Sequence, residues 1–496
     1  MNKSRNNIFK IKKIKNLKIF AFYLFFCLAF TSCSKNPNTG KNDLTLFMSK
    51  EQEKEIGARQ HTRLISGFGG VYEHNSLGVY VASIGADILN SANLDNDSFT
   101  FTILNTPIVN AFAAPGGYIY VTRGLLAFCN SEAELAAVIS HEIAHIAARH
   151  SSQRYSANVL GNIGASILGV AMNSGEIHSL GSLINELGIS KFSRSQELEA
   201  DRLALIYLSK SGYDVDGLSN FLKTLDNLNE FNSKMGFSDS IETSIFSTHP
   251  PTKDRIRLSK NNKKPEKNIK NFIDRLDGII FGDDPSQGIV RNNEFSHPSL
   301  KISIKFPIDF VIKNTSSNLV AFKKNKNFIK IDISSGKDFH SDPLVYLKSI
   351  WRKNIKFNMS EKINLNRYEA ATGYYFSKGS INSYKGKIQI RYLVVRMDNQ
   401  KYLRFIFISK GNEYTEQDDL YRKIAYSIKE LSDIQTQSIV PLRLNFYTVE
   451  KSTNSNIFAK NYMQGRNKIK MFDLLNGFNE SRKLFKGDKV KILRYQ

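Results

Sequence analysis

Apolar residues spaced three and four apart run through Glu51–Arg63 and Leu77–Ala92 and predict two helices. Phe99–Leu104 and Gly117–Thr122 alternate or run β-branched and aromatic, which predicts strands. Between them, Asn110–Ala114 leads into Pro115-Gly116-Gly117, a strand closed by a tight turn. Ser131 followed by Glu134 is a capping-box signature, and the helix it opens is predicted to run to about Arg154. The uncharged stretch Tyr155–Gly175 is interrupted by Asn158, Asn162, Ser166 and Asn173, so it reads as a packed helix with a loop rather than a membrane-dipping segment. Another helix covers Ser193–Lys210, and Gly212 stops it.

After Gly282-Asp283-Asp284-Pro285 the pattern changes to period-two alternation. Strands are predicted at Leu300–Phe306, Leu319–Phe322, Phe328–Ile333, Glu369–Phe376, Ile388–Arg396 and Tyr402–Ser409, with helices at Pro343–Asn354 and Glu416–Leu431. This predicts an α+β domain over residues 290–435, an antiparallel sheet with helices on one face, whose layout resembles PsbP-like domains. Residues 440–496 resemble a small LysM-like module: a strand at Leu442–Val449, the Leu474-Leu475-Asn476-Gly477 turn, then Phe485–Ile492. The fold class expected is therefore α+β and multidomain.

With 41% hydrophobic and 23% charged residues, 30 Gly and 3 Cys in 496, the chain is neither disordered, collagen-like nor disulfide-rich. Its net charge of +23 is unevenly spread. Residues 1–32 hold seven basic residues and no acid, and residues 34–275 hold 24 basic and 25 acidic. Residues 276–496 hold 38 basic and 21 acidic, an excess suited to an anionic partner or produced by a Lys-rich amino-acid usage.

The basic start is followed by the apolar run Ile19–Phe30 and then Thr31-Ser32-Cys33-Ser34. Twelve apolar residues are too few to span a bilayer but suit a secretory signal. The segment resembles a bacterial lipoprotein signal, with residues 1–32 removed and Cys33 lipidated; an uncleaved anchor is the alternative. With Cys27 lost and Cys33 modified, Cys129 is left unpaired and reads as a small buried apolar residue.

The helix opened at Ser131 contains His141-Glu142-Ile143-Ala144-His145. Histidines four apart lie one turn up the same helix face, so both imidazoles can converge on one zinc ion. Glu142 lies one residue round, placed to take a proton from the attacking water rather than to ligate. Apart from the motif, Val138–Ala147 carries no charge, the wrapping a buried metal helix requires. Ala148 and Ser151 stand where the metzincin pattern needs glycine and histidine, which excludes that class. His150 falls about 180° round a continuous helix from His141 and cannot share its ion. On a second helix Glu197 and Asp201 are four apart: Glu197 can ligate while Asp201 accepts the N–H of a ligand histidine, and Glu199 faces away to solvent or a salt bridge.

His141, Glu142, His145 and the Glu197-x-x-Ala200-Asp201 pattern resemble the HtpX- and BepA-like metallopeptidases, kin to the CAAX prenyl proteases. Asn110–Gly117 (NAFAAPGG), Asn36–Gly40 (NPNTG) and Thr248–Pro251 with Arg255-Ile256 match as well, so the resemblance spans residues 36–256. It implies a mainly helical zinc-peptidase domain with a small edge-exposed sheet, taken here as residues 33–285. One Zn2+ per chain is expected, with Glu197 as third ligand and Asp201 as partner of a ligand histidine. Asn110, Ala111, Phe112 and Ala113 would form the edge strand that pairs with substrate, and His249 would approach the metal or assist catalysis. The expected protein is a zinc endopeptidase, lipid-anchored in the periplasm at the outer membrane of a Gram-negative cell. Its substrates would be unfolded or misassembled envelope polypeptides, with no nucleic acid among its partners. The alternative is an envelope-assembly scaffold or chaperone with latent peptidase activity, its C-terminal region binding peptidoglycan or another anionic component.

Overall fold

The structure is a computed structural model that describes residues 36, 38–40, 48–74, 76–94, 99–156, 192–234, 245, 249, 253–258 and 272–496, apart from 324–326, 335, 382–383, 398–399 and 412. The signal segment, Cys33, most of Tyr155–Gly175 and the prolines beside His249 lie outside the described residues. Two compact units emerge, one of residues up to Leu64 with Glu73–Ile103 and Ile108–Arg275, the other of Ile65–Tyr72, Leu104–Pro107 and Leu276–Gln496. Among the described residues no helix is long and apolar enough to cross a membrane.

In the first unit the helices α1 (Lys50–Gly67) and α2 (Leu77–Ala92) precede strands β1 (Thr100–Leu104), β2 (Ala111–Ala114) and β3 (Tyr118–Thr122). The sheet order is β1-β3-β2, which leaves β2 at an edge. β2 and β3 pair antiparallel from Ala111↔Val121 to Ala114↔Tyr118. Their turn needs Gly116 and Gly117, at φ 81° and 91°, a region where a side chain is strained. Helices α3 (Arg123–Phe128), α4 (Glu132–Ala147), α5 (Arg194–Lys210) and α6 (Asp216–Lys234) follow, then the short α7 (Lys253–Leu258) and α8 (Phe272–Leu276). Gly217 lets α6 approach α4 closely, since a Cβ there would stand 2.4 Å from the carbonyl oxygen of Ala133.

One expectation needs correcting here. The helix opened at Ser131 does not run to Arg154: α4 ends at Ala147, Arg149 takes a left-handed conformation at φ 56°, and residues 150–156 start a new helix. Cys129 is buried, as its apolar neighbours predicted.

The second unit begins with the strands β4 (Ile280–Phe281), β5 (Ile289–Arg291), β6 (Glu294–His297) and β7 (Ile302–Lys305). β8 (Val311–Asn314), β9 (Leu319–Lys323), β10 (Asn327–Ile333), β11 (Met359–Leu365), β12 (Tyr368–Ile381), β13 (Tyr384–Arg396) and β14 (Tyr402–Lys410) follow and form one antiparallel sheet in the order β11-β12-β13-β14-β10-β9-β8. Period-two alternation gives this sheet two apolar faces. Leu393, Val395, Phe405 and Phe407 pack with Tyr421 and Ile424 of α9 (Tyr414–Tyr426). Tyr392, Val394 and Tyr402 pack on the other face with Tyr346 and Leu347 of the helical segment 343–351. The helices therefore cover opposite faces, not one, because adjacent residues of β13 and β14 are both apolar and each face must be buried. At the C-terminal end two helices, Ser455–Tyr462 and Lys468–Leu475, are flanked by the short strand pair Thr453–Asn454 and Lys483–Leu484, and Leu442–Thr448 runs antiparallel to Lys489–Tyr495 and also pairs with Ile280–Phe281.

Candidate metal centre

Local capping sets the two helices that build the site. Ser131 Oγ accepts the Glu134 N–H at 3.2 Å while Glu134 Oε2 accepts the Asn130 N–H at 2.8 Å. Such an N-terminal cap contributes about 1 kcal/mol. At the other end, the Ala147 carbonyl accepts from Asn36 Nδ2 at 3.0 Å and from Asn38 Nδ2 at 3.4 Å. Nearly every side chain of α4 is buried, and the helix packs against α2, α5, α6 and β2. Ser193 and Gln196 close a capping box on α5, which puts Glu197 in its first turn and Asp201 one turn on, both facing α4. The partial positive charge of that first turn favours the Glu197 carboxylate.

His141, His145, Glu197 and His249 each turn one donor atom to a common point, all within 4.8 Å of one another and all buried. His141 Nε2 lies 3.0 Å from His145 Nε2 and 3.2 Å from His249 Nδ1, which is 2.8 Å from Glu197 Oε1. Ring nitrogens facing one another at such distances repel through their lone pairs unless a proton or a metal cation stands between them. Three imidazoles and a carboxylate are also the donor types zinc takes in fourfold coordination. The residues present fit a zinc ion.

Around this cluster the charges are paired. Asp201 Oδ1 lies 3.0 Å from His141 Nδ1, as its position four residues after Glu197 predicted. The other side of Asp201 is held by Arg255, whose Nε and Nη2 donate at 2.7 and 2.8 Å. Arg255 Nη1 also reaches Glu197 Oε2 at 2.9 Å. Burial draws the His141 imidazole down, but Asp201 and Glu197 outweigh it and push the group up to about 9. Burial holds His145 well below its ordinary value, and His150 down to about 4. Glu142 is 1% exposed, and burial pushes its carboxyl above the usual carboxylate range. Its Oε1 lies 3.7 Å from His249 Nε2. A carboxylate shifted upward accepts a proton more readily near neutral pH.

The structure thus brings together His141, Glu142, His145, Glu197, Asp201 and His249, which are far apart in sequence. Asn110 is buried, its N–H donated to Thr122 Oγ1 at 3.1 Å, and Ala111, Phe112 and Ala113 form the edge strand β2 beside α4. One expectation is corrected. His150 is not turned away from the site: the break at Arg149 re-aims the chain, and His150 Nδ1 stands 2.9 Å from Nδ1 of His145. Glu199 stands outside the donor cluster, as expected, but faces His150 rather than solvent: its side chain is 13% exposed with Oε2 3.4 Å from His150 Nε2. Phe192, which no spacing marked, stacks on the His145 ring at 4.0 Å between centroids. Arg255 appeared in sequence only as part of a motif, and the charge balance of two buried carboxylates is the signal that calls for it.

Residues 77–262 match the model of Peptidase family M48. The chain is 28% identical over 223 residues to the beta-barrel assembly-enhancing protease of Escherichia coli, covering 43% of this chain and 44% of that one. The identity to the protein of the same name from Yersinia pestis is 30% over 191 residues, covering 37% and 38%. With the mitochondrial metalloendopeptidase OMA1 of Schizosaccharomyces pombe it is 28% over 220 residues, covering 44% and 61%. The chain spans less than half the length of either bacterial relative. Residues 77–262 are thus similar to the M48 metallopeptidases, and the grouped donors His141, His145, Glu197 and His249 lie within that match.

Proposed function

We propose that the chain is a zinc-dependent endopeptidase that cleaves unfolded or misassembled envelope proteins. The observation that carries this is the buried convergence of His141, His145 and Glu197 with Glu142 beside them. His141, His145 and Glu197 hold the metal, and Asp201 fixes the His141 ring. Bound zinc supplies Lewis-acid chemistry, polarising the scissile carbonyl and acidifying the attacking water. Glu142 takes the proton from that water and passes it to the leaving amine. β2, at an edge of its sheet, would accept an extended peptide through backbone hydrogen bonds, which suits unfolded chains of varied sequence. The name of the bacterial relatives, beta-barrel assembly-enhancing protease, supports an envelope substrate. Metal analysis with casein cleavage before and after chelation tests the proposal. One zinc per chain and chelator-sensitive cleavage are expected; a purified protein without zinc overturns it.

His249 is proposed to occupy the fourth position and to silence the site from there. Its Nδ1 lies in the donor cluster, where an attacking water would otherwise stand. His249→Ala should keep zinc, held by the other three donors, and raise basal casein cleavage. A loss of cleavage with zinc retained would make His249 a catalytic helper instead.

Cys33 is proposed to carry the lipid that holds the enzyme in the membrane, facing the periplasm. Cys33→Ser should then accumulate unprocessed and lose lipid labelling. Normal maturation of that variant removes the lipoprotein assignment.

A further inference from the structure

We propose that His150 and Glu199 are positioning residues for the metal site, which together fix the tautomer and orientation of the His145 ring. This rests on reading the His141, His145 and Glu197 cluster as a zinc site.

The chain reaches this arrangement through a specific break. Ala148 donates its N–H to the Ala144 carbonyl and Arg149 to that of Ile146, after which Arg149 turns left-handed at φ 56°. That conformation is uncommon for a residue with a side chain and persists only where the surroundings hold it. Here they do: Arg149 Nε donates to Glu53 Oε1 at 2.9 Å and its Nη2 to the Met48 carbonyl at 2.7 Å. The result folds His150 back under the end of α4, fully buried.

The two contacts of His150 admit one consistent set of protons. His145 turns Nε2 to the donor cluster, so as a neutral ligand it carries its proton on Nδ1. Nδ1 of His150, 2.9 Å away, must then be the acceptor. The proton of His150 is therefore on Nε2, and the group facing that nitrogen is the Glu199 carboxylate at 3.4 Å. Phe192 closes one face of the His145 ring at an interplanar angle of 24°. The two histidine ligands thus have different supports. His141 faces the Asp201 carboxylate directly, whereas His145 meets a neutral imidazole that stands in front of a carboxylate. Partners of this kind orient a metal ligand and raise its basicity, and their loss costs about 10- to 100-fold in metal affinity.

The test uses the purified full-length protein and measures zinc affinity by competition with a chromophoric chelator, together with the rise in Tm that zinc produces. His150→Leu should weaken zinc binding by about 10- to 100-fold. It should also shrink the zinc-dependent rise in Tm, since that rise follows the affinity. His150→Asn, whose Oδ1 can accept where Nδ1 does, should recover most of the affinity. Glu199→Gln should give a smaller loss in the same direction, and Glu199→Ala a larger one. Wild-type affinity in folded His150→Leu, or His150→Asn no better than His150→Leu, overturns the proposal. Should His150→Leu not fold, Glu199→Ala decides, and unchanged affinity there overturns it too. A wild-type protein that binds no zinc refutes the underlying site assignment, an outcome distinct from a zinc-loaded wild type matched by its variants.

Discussion

Glu142→Gln is expected to leave zinc occupancy unchanged while casein cleavage falls by about 10²- to 10⁴-fold, the usual weight of a general base. The two side chains have nearly the same shape, so the substitution fits the space beneath the cluster without a cavity. Glu142 is not one of the four grouped donors, so the metal keeps its ligands. What disappears is the proton acceptor: an amide at this position can hydrogen-bond the attacking water but cannot take its proton. Burial raises the carboxyl toward neutral pH in the native protein, which makes this acceptor effective where the others are committed. Near-normal cleavage by a zinc-loaded Glu142→Gln protein would remove Glu142 from the role.

Arg255→Ala should cost about 3–5 kcal/mol of stability in the metal-free protein, the range for removing one partner from a buried ion pair. The guanidinium bridges Asp201 and Glu197, and all three side chains are at most 4% exposed. Without Arg255 two carboxylates lie side by side in a low dielectric, with only the histidines to compensate. Arg255→Lys should recover part of the loss, because it restores charge but not the two-pronged geometry that grips Asp201 through Nε and Nη2. Urea unfolding of chelator-treated protein measures both. A change below about 1 kcal/mol in Arg255→Ala would mean that solvent already neutralises the pair, as it does for exposed salt bridges.

Where a pattern expresses a single local rule, the sequence was enough. Leu77–Ala92 begins and ends where its spacing says it should, and Ser193 caps α5 as its box with Gln196 requires. The grouping of His141, His145 and Glu197 was legible because the donor types and helical spacing that suit one metal ion are few. No helix was expected over α6, although Leu218, Phe221, Leu222, Leu225 and Leu228 keep helical spacing on its buried side. The break after Ala147 was not legible. Arg149 is a good helix former, and nothing local sends it left-handed; the cause is Glu53 and the Met48 carbonyl, about a hundred residues away in sequence. With the break hidden, angular arithmetic on a continuous helix turned His150 to the wrong side. The two covered faces of the large sheet were hidden for a related reason. Alternation marks which residues share a face, but not which helix will bury it.

Asn36 ties the extreme N-terminal part of the described chain to the last carbonyl of the metal helix, and it is buried there. It stands three positions after Cys33, a span of at most about 11 Å when fully extended. With the lipid on Cys33, as proposed, this is a very short leash. The end of α4 is then held within about one such span of the bilayer surface, with no linker to let the enzyme patrol the space beyond. On that premise chain segments that linger at the membrane surface would be within its reach, and proteins that keep their distance would not.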